Sequence, residues 1–136
     1  MIDLLLVDDD EDDRDLFCLA MRDLDPAIRV TVAVDGEDAL QMLSADKRYR
    51  PDFIFLDLNL PRITGKECLA QLKKTDHLRD IPVIIYTTSK LQEDQVETKK
   101  LGASHFITKP VKLTELNDAV MFVLHSREVA HSGKNA

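Results

Sequence analysis

The chain has 136 residues, a length that suits one domain and leaves little room for a second. Its hydrophobic fraction of 44% is enough for an ordinary core and too high for a disordered chain. Eighteen Lys and Arg against twenty-five Asp and Glu give a net charge of −7, which as a whole repels nucleic acid and anionic membranes.

The first predicted element is the apolar run Leu4–Val7, followed at once by Asp8 and Asp9. Eight of the twenty-five acids fall within the first fifteen residues: Asp3, Asp8, Asp9, Asp10, Glu11, Asp12, Asp13 and Asp15. Part of this run suits a helix N-terminus, where the macrodipole favours carboxylates, and capping is the reading preferred for Asp10. Asp8-Asp9 sits where a buried strand ends, and carboxylates packed so closely repel unless they share a cation. Leu16, Phe17, Ala20, Met21 and Leu24 then form an i, i+4 stripe that predicts a helix.

The alternation of short apolar runs and helical stripes continues through the chain. Strands are predicted at Val30–Val34, Phe53–Leu56, Val83–Tyr86 and Phe106–Thr108. Between them lie stripes at Ala39, Leu40 and Leu43 and at Cys68, Leu69 and Leu72, and a weak one over Gln92–Leu101 that Gly102 stops. Leu113, Leu116, Val120 and Val123 make the last stripe, with Met121, Phe122 and Leu124 beside it; those three either widen the buried face or form a surface. The domain is expected over 1–126, with a polar, flexible tail over 127–136. Strands that are apolar without alternation, each followed by a helix, indicate a parallel sheet covered on both faces. Right-handed crossovers make this a doubly wound α/β fold of five strands and five helices.

The two cysteines, Cys18 and Cys68, form no CxxC and lie in apolar helical stretches, as small buried side chains do. The four histidines are scattered, which argues against a histidine metal site. No apolar run approaches the ~18 residues a membrane span needs. The start, Met1-Ile2-Asp3-Leu4, turns acidic too early for a secretory signal, so a cytoplasmic protein is expected.

Open α/β sheets bind ligands beyond the carboxyl ends of their strands. Here those ends carry Asp8-Asp9, Asp57, Thr87-Thr88 and Lys109-Pro110. Six consecutive acids at 8–13 replace the Gly-rich loop that would cradle a bare phosphate. An anion can enter only beside a metal that neutralises the carboxylates, and hard oxygen ligands select Mg²⁺ or a similar ion.

Leu5-Leu6-Val7-Asp8-Asp9, Leu56-Asp57-Leu58-Asn59-Leu60-Pro61, Tyr86-Thr87-Thr88 and Thr108-Lys109-Pro110 together resemble the signatures of response-regulator receiver domains of two-component signalling. The resemblance runs from about Ile2 to about His125. Arg50-Pro51-Asp52-Phe53 and the long connection from Asp76 to Pro82 are similar to single-domain receivers associated with phytochrome-type histidine kinases. The resemblance implies the flavodoxin-like receiver fold with strand order 2-1-3-4-5. It implies that Asp57 is the phosphoacceptor and attacks phosphohistidine of a histidine kinase or histidine phosphotransfer protein. It also implies that Asp9, the Asp57 carboxylate and the Asn59 backbone carbonyl hold Mg²⁺, with Asp8 acting through water. Lys109 is to pair with Asp57 and then with a phosphoryl oxygen, Thr87 is to donate its hydroxyl to another, and Phe106 matches the switch aromatic. The Lys109-Pro110 peptide is expected to be cis. The fourth helix, last strand and last helix are the expected face for a homodimer or a partner.

Each assignment has a simpler competitor. Asp57 and Thr87 could merely finish strands, Lys109 could be a solvated loop lysine, and Phe106 suits a core position equally. An Asp between Leu56 and Leu58 at a sheet end is nevertheless an expensive choice for structure alone. A Mg²⁺-dependent phosphatase of the haloacid-dehalogenase type would carry an acid two residues after its nucleophile; here stands Asn59, which transfers no proton. The expectation is therefore a signalling module rather than an enzyme. A receiver-like adaptor working without phosphorylation is the other rival.

Overall fold

In the computed structural model, which describes the backbone of residues 2–135 and the side chains of 2–126, five strands alternate with five helices along the chain. They are β1 (Ile2–Val7), α1 (Glu11–Leu24), β2 (Ile28–Ala33), α2 (Gly36–Ala45), β3 (Phe53–Leu56), α3 (Gly65–Lys74), β4 (Val83–Thr87), α4 (Gln92–Leu101), β5 (His105–Thr108) and α5 (Leu113–Asn135). The side chains of the expected tail, 127–136, lie outside the described residues.

All strand pairs are parallel, in the order β2-β1-β3-β4-β5. The two directions of winding therefore part between β1 and β3, whose carboxyl ends hold Asp8-Asp9 and Asp57. Strand pleating divides the core in two. Leu4 and Leu6 face the layer of Phe17, Met21, Val120 and Val123 from α1 and α5, while Leu5 and Val7 face Leu43, Leu69 and Leu72 from α2 and α3. Phe17 joins its layer through rings 5.1 Å from Phe55 and 5.5 Å from Tyr86, at the tilted angles aromatic pairs prefer.

The helices are started by the acids and hydroxyls that precede them. Asp10 accepts from Asp13 N, Asp35 from Asp38 N and Thr64 from Glu67 N, so α1, α2 and α3 each have a side-chain N-cap. The capping role anticipated for Asp10 is thus the observed one. α4 differs: Leu91 stands at its N-cap and supplies no side-chain bond, while Gly102 ends the helix at φ 110°. Its amphipathicity is weak because it buries Thr98 and leaves Leu91 and Val96 outside. Leu16, expected in the buried stripe of α1, lies at its margin and is 37% exposed. On α5, Met121 (54% exposed) and Phe122 (66% exposed) point outward, whereas Leu124 packs against the core.

Candidate functional site

Three ladder hydrogen bonds carry the sheet into the site. Asp8 N donates to Ala33 O at 3.1 Å, Asp57 N to Val7 O at 3.0 Å, and Lys109 N to Thr87 O at 2.7 Å. Backbone order therefore persists one residue past each strand, and the side chains that follow emerge in fixed directions. The turn after Asp57 is equally constrained. Gly65 N donates to Leu58 O at 2.9 Å, and a Cβ on Gly65 would overlap the Asp57 carbonyl oxygen and sit 2.6 Å from Leu58 Cα. Only glycine lets α3 begin so close to the phosphoacceptor candidate.

At the centre stands Lys109, with its side chain 9% exposed. Its Nζ lies 2.8 Å from Asp13 Oδ2, 2.9 Å from Asp57 Oδ2 and 2.9 Å from Asp8 Oδ2, and 5.5 Å from the centroid of the Tyr86 ring. Burial on its own would lower the lysine pKa, but hydrogen bonds to Asp13, Asp8 and Asp57 outweigh it and hold the ammonium above its ordinary range. Asp8 fares the opposite way. It is completely buried, and desolvation raises its carboxyl pKa despite Lys109 and the Asp10 N–H that reaches its Oδ1 at 3.0 Å. Tyr86, walled in behind the lysine, has its phenol pushed up to about 12 by burial.

Asp8, Asp9 and Asp57 each offer a carboxylate oxygen, and these atoms all lie within 4.8 Å of one another. Asp9 is exposed while the other two are buried, so the cluster opens to solvent on one side. Asp8 Oδ2 is buried, with the Lys109 ammonium at ion-pair distance. Lys109 must serve Asp8, Asp13 and Asp57 with Asp9 adjacent, so carboxylates outnumber the ammonium. An all-oxygen set with surplus negative charge fits a hard divalent cation.

The remaining sequence candidates lie around this centre. Thr87 is wholly buried at the end of β4, where its hydroxyl accepts a long bond (3.4 Å) from Ser89 N. Thr88, next to it, is exposed. Phe106 is half-buried against the α2/α3 layer and borders a cavity of about 240 Å³ shared with Gln95, Thr98 and Lys99 of α4. Asn59 is exposed beyond Asp57, with its N–H 3.4 Å from Asp57 Oδ1.

One expectation is corrected. The Lys109–Pro110 bond is trans, as the described chain contains no cis peptide. The trans form is the preferred one by ~0.5–1 kcal/mol, and the lysine needs no other isomer to enter the site. The bond from Lys109 N to Thr87 O fixes its backbone, and three carboxylates draw the side chain in.

Sequence reasoning missed Asp13 as a partner of Lys109. Its position one turn after the N-cap Asp10 was a usable signal, hidden within a run of six acids. It also missed Arg62, whose φ of 66° turns the loop after β3 and whose guanidinium pairs with Asp35 and, at 3.5 Å, with Glu37. Lys66, which meets Asp94 and Glu97 of α4, had no local signal at all.

A parallel 2-1-3-4-5 sheet with a lysine-bridged carboxylate cluster at its switch point defines a class. The family described as "Response regulator receiver domain" matches residues 4–121, and the chain belongs to it. Such receivers are the signalling modules of two-component systems. Response regulator Rcp1 of Synechocystis sp. is 32% identical over 117 residues, covering 83% of this chain and 80% of that protein. The crystal structure of the phosphorylated cyanobacterial phytochrome response regulator RcpA is similar at a TM-score of 0.81 and 32% identity, with 90% of each chain covered. The Mn(2+)-bound form of Rcp1 gives a TM-score of 0.78 and 31% identity over 90% of this chain and 91% of that one. Among the described residues no helix is long and apolar enough to cross a membrane.

Proposed function

We propose that Asp57 accepts a phosphoryl group from the phosphohistidine of a histidine kinase or histidine phosphotransfer protein, and that this chain works as a cytoplasmic, phosphorylation-controlled interaction module. The observation that carries the reading is Lys109 Nζ 2.9 Å from Asp57 Oδ2 beside a metal-capable trio of acids. An Asp57 carboxylate oxygen forms the new bond to phosphorus as the N–P bond breaks, leaving an acyl phosphate and a free imidazole.

Asp9, the Asp57 carboxylate and the Asn59 backbone carbonyl would hold Mg²⁺, with Asp8 acting through water. When bound, the ion supplies the positive charge that lets an anionic substrate approach these carboxylates. The Mn(2+)-bound Rcp1 structure, similar over nine-tenths of this chain, supports a divalent ion here. Lys109 neutralises Asp57 before transfer and follows a phosphoryl oxygen afterwards as a mobile point charge. Thr87 gives up its contact with Ser89 and donates its hydroxyl to a second phosphoryl oxygen. Phe106 has no hydroxyl, so it reports the change through burial, with the cavity beside α4 as room to move.

The receiver domain is placed at residues 1–126. Output runs through the face of α4, β5 and α5, where the exposed Phe122 ring meets His105 edge-on at 6.0 Å and offers apolar area to a second copy or a protein partner. The net charge of −7 favours a protein partner over nucleic acid or an anionic membrane. The chain acts catalytically only on itself, through phosphorylation and slow loss of the phosphoryl group.

Incubation with acetyl phosphate and Mg²⁺ followed by intact mass tests this. A slowly decaying adduct, absent in Asp57→Ala, is the expected result. Rapid turnover of the reagent would instead favour a phosphatase, and no adduct a phosphorylation-independent adaptor.

A further inference from the structure

α4 is attached to the protein in an unusual way for a helix of a doubly wound fold. Its one fully buried residue among those described is Thr98, only Leu101 in its last turn packs against the core, Leu91 and Val96 are exposed, and the N-cap residue Leu91 supplies no side-chain bond. Helices normally gain their stability by burying an apolar face, and this one buries little. Polar contacts take that place. Lys66 Nζ, reaching across from the first turn of α3, lies 2.7 Å from Asp94 Oδ1 and 2.7 Å from Glu97 Oε2, one turn apart on α4. Asp94 Oδ2 in turn accepts from Ser89 Oγ at 2.5 Å, and Ser89 Oγ accepts from Leu91 N at 3.2 Å, which caps the helix from outside it.

Ser89 also faces the functional site. Its N–H donates to Thr87 Oγ1 at 3.4 Å, and its carbonyl accepts from Thr108 Oγ1 at 3.2 Å. A continuous polar chain thus leads from the Thr87 hydroxyl through Ser89 and Asp94 to Lys66 on a different helix. Its outer end is not a freely solvated ion pair, since the Lys66 side chain is 31% exposed and that of Asp94 14%. Fully exposed pairs contribute little, but one ammonium held by two carboxylates beside a capping hydroxyl is better placed.

We propose that Lys66 is a positioning residue that latches α4 and the Ser89 turn to α3, and so sets how far the domain rests toward its unphosphorylated conformation. The proposal rests on the reading of Thr87 as the switch residue, because it is Thr87 moving toward a phosphoryl group that would release Ser89. The latch itself exists in the resting protein and is testable there. Charge carries it, so salt weakens it; at about 1 M salt the screening length falls to roughly 3 Å.

Hydrogen exchange of the α4 amides should report the latch directly. In Lys66→Met at low salt those amides should exchange about tenfold faster than in the parent, and Lys66→Arg should restore protection. Glu97→Gln, which removes one exposed partner and endangers no core, should give an intermediate increase. Raising salt should bring the parent toward Lys66→Met and leave Lys66→Met itself unchanged. Intact mass after acetyl phosphate should show Asp57 still modified in Lys66→Met, with a smaller further rise in α4 exchange on phosphorylation than the parent shows. Equal α4 exchange in the parent and Lys66→Met at low salt would overturn the latch, as would failure of Lys66→Arg to rescue. A parent that accepts no phosphoryl group would instead count against the proposed function, while the resting-state comparison would still decide the latch.

Discussion

Two lysines in this protein each gather several carboxylates, and their surroundings give the two clusters opposite characters. Lys109 sits 9% exposed among acids that follow β1 and β3 and one from α1, whereas Lys66 sits at the rim, 31% exposed, among acids of α4 alone. In the inner cluster burial raises the Asp8 carboxyl, so its ionised form is held at a cost. In the outer one Lys66 and then Ser89 hold Asp94 below its ordinary value, so ionisation there stabilises the fold. Similar ion-pair chemistry thus creates demand for a further cation at one place and a tether at the other. Desolvation decides which.

The largest effect expected from breaking that contrast is at Lys109. Lys109→Met leaves Asp8 and Asp57 buried without their ammonium and should cost about 3–5 kcal/mol of stability in chelator, read from urea unfolding. Added Mg²⁺ should recover part of the loss. An unchanged midpoint would mean that the inner carboxylates are far better solvated than their burial indicates.

Thr87→Ala should act on the switch more than on the chemistry. Asp57 should still accept phosphate by intact mass, while the phosphorylation-dependent change in α4 exchange and partner affinity should fall. One charge-assisted hydrogen bond is worth ~1.5–3 kcal/mol, which shifts a two-state population by roughly ten- to a hundredfold. A full response in Thr87→Ala would show that coupling does not run through this hydroxyl.

Asp9→Asn removes the exposed member of the metal-capable trio. Mg²⁺ affinity measured by calorimetry should weaken by about tenfold or more, whereas stability in chelator should hold or rise as repulsion is relieved. Parent-like affinity would remove Asp9 from the ligand set.

The smallest expected effect is a pair of pH profiles with opposite signs. Asp94, with its folded pKa depressed, contributes stability above its ordinary value of 3.8 that is lost as pH falls through the lower folded value. Asp94→Asn should therefore lower stability at neutral pH and change little once the pH is below the depressed folded value. Asp8, with its folded pKa raised, costs stability when ionised, and that cost is relieved as pH falls toward 3.8. Asp8→Asn in chelator should raise stability at neutral pH and lose this advantage near about pH 4. Parallel profiles for the two variants would erase the distinction between the clusters.

Much of the candidate site was legible from strand ends. An apolar run that stops at an acid places that acid at the sheet edge whatever the rest of the chain does, which is how Asp8, Asp9 and Asp57 came to light. Thr87 and Lys109 are also at the edge, and the Lys109–Asp57 pair was expected, yet their other contacts were not readable. The Thr87 hydroxyl faces Ser89 N, and Lys109 reaches Asp13, 96 residues earlier in the chain. Met121, Phe122 and Leu124 share a stretch of α5 with one pattern, and only its docking separated the exposed pair from the partly buried third.

The sequence by itself determined the order and type of elements, the cap Asp10, the glycine stop at Gly102, and the residues that arrive at the carboxyl edge. These are consequences of local spacing and of backbone groups within one turn of each other. Only the tertiary structure decided that one lysine serves three carboxylates, that its bond to Pro110 stays trans, and that Lys66 spans 28 residues to hold α4. Those outcomes depend on the distance and dielectric between elements far apart in the chain, which exist only once the sheet and helices have packed.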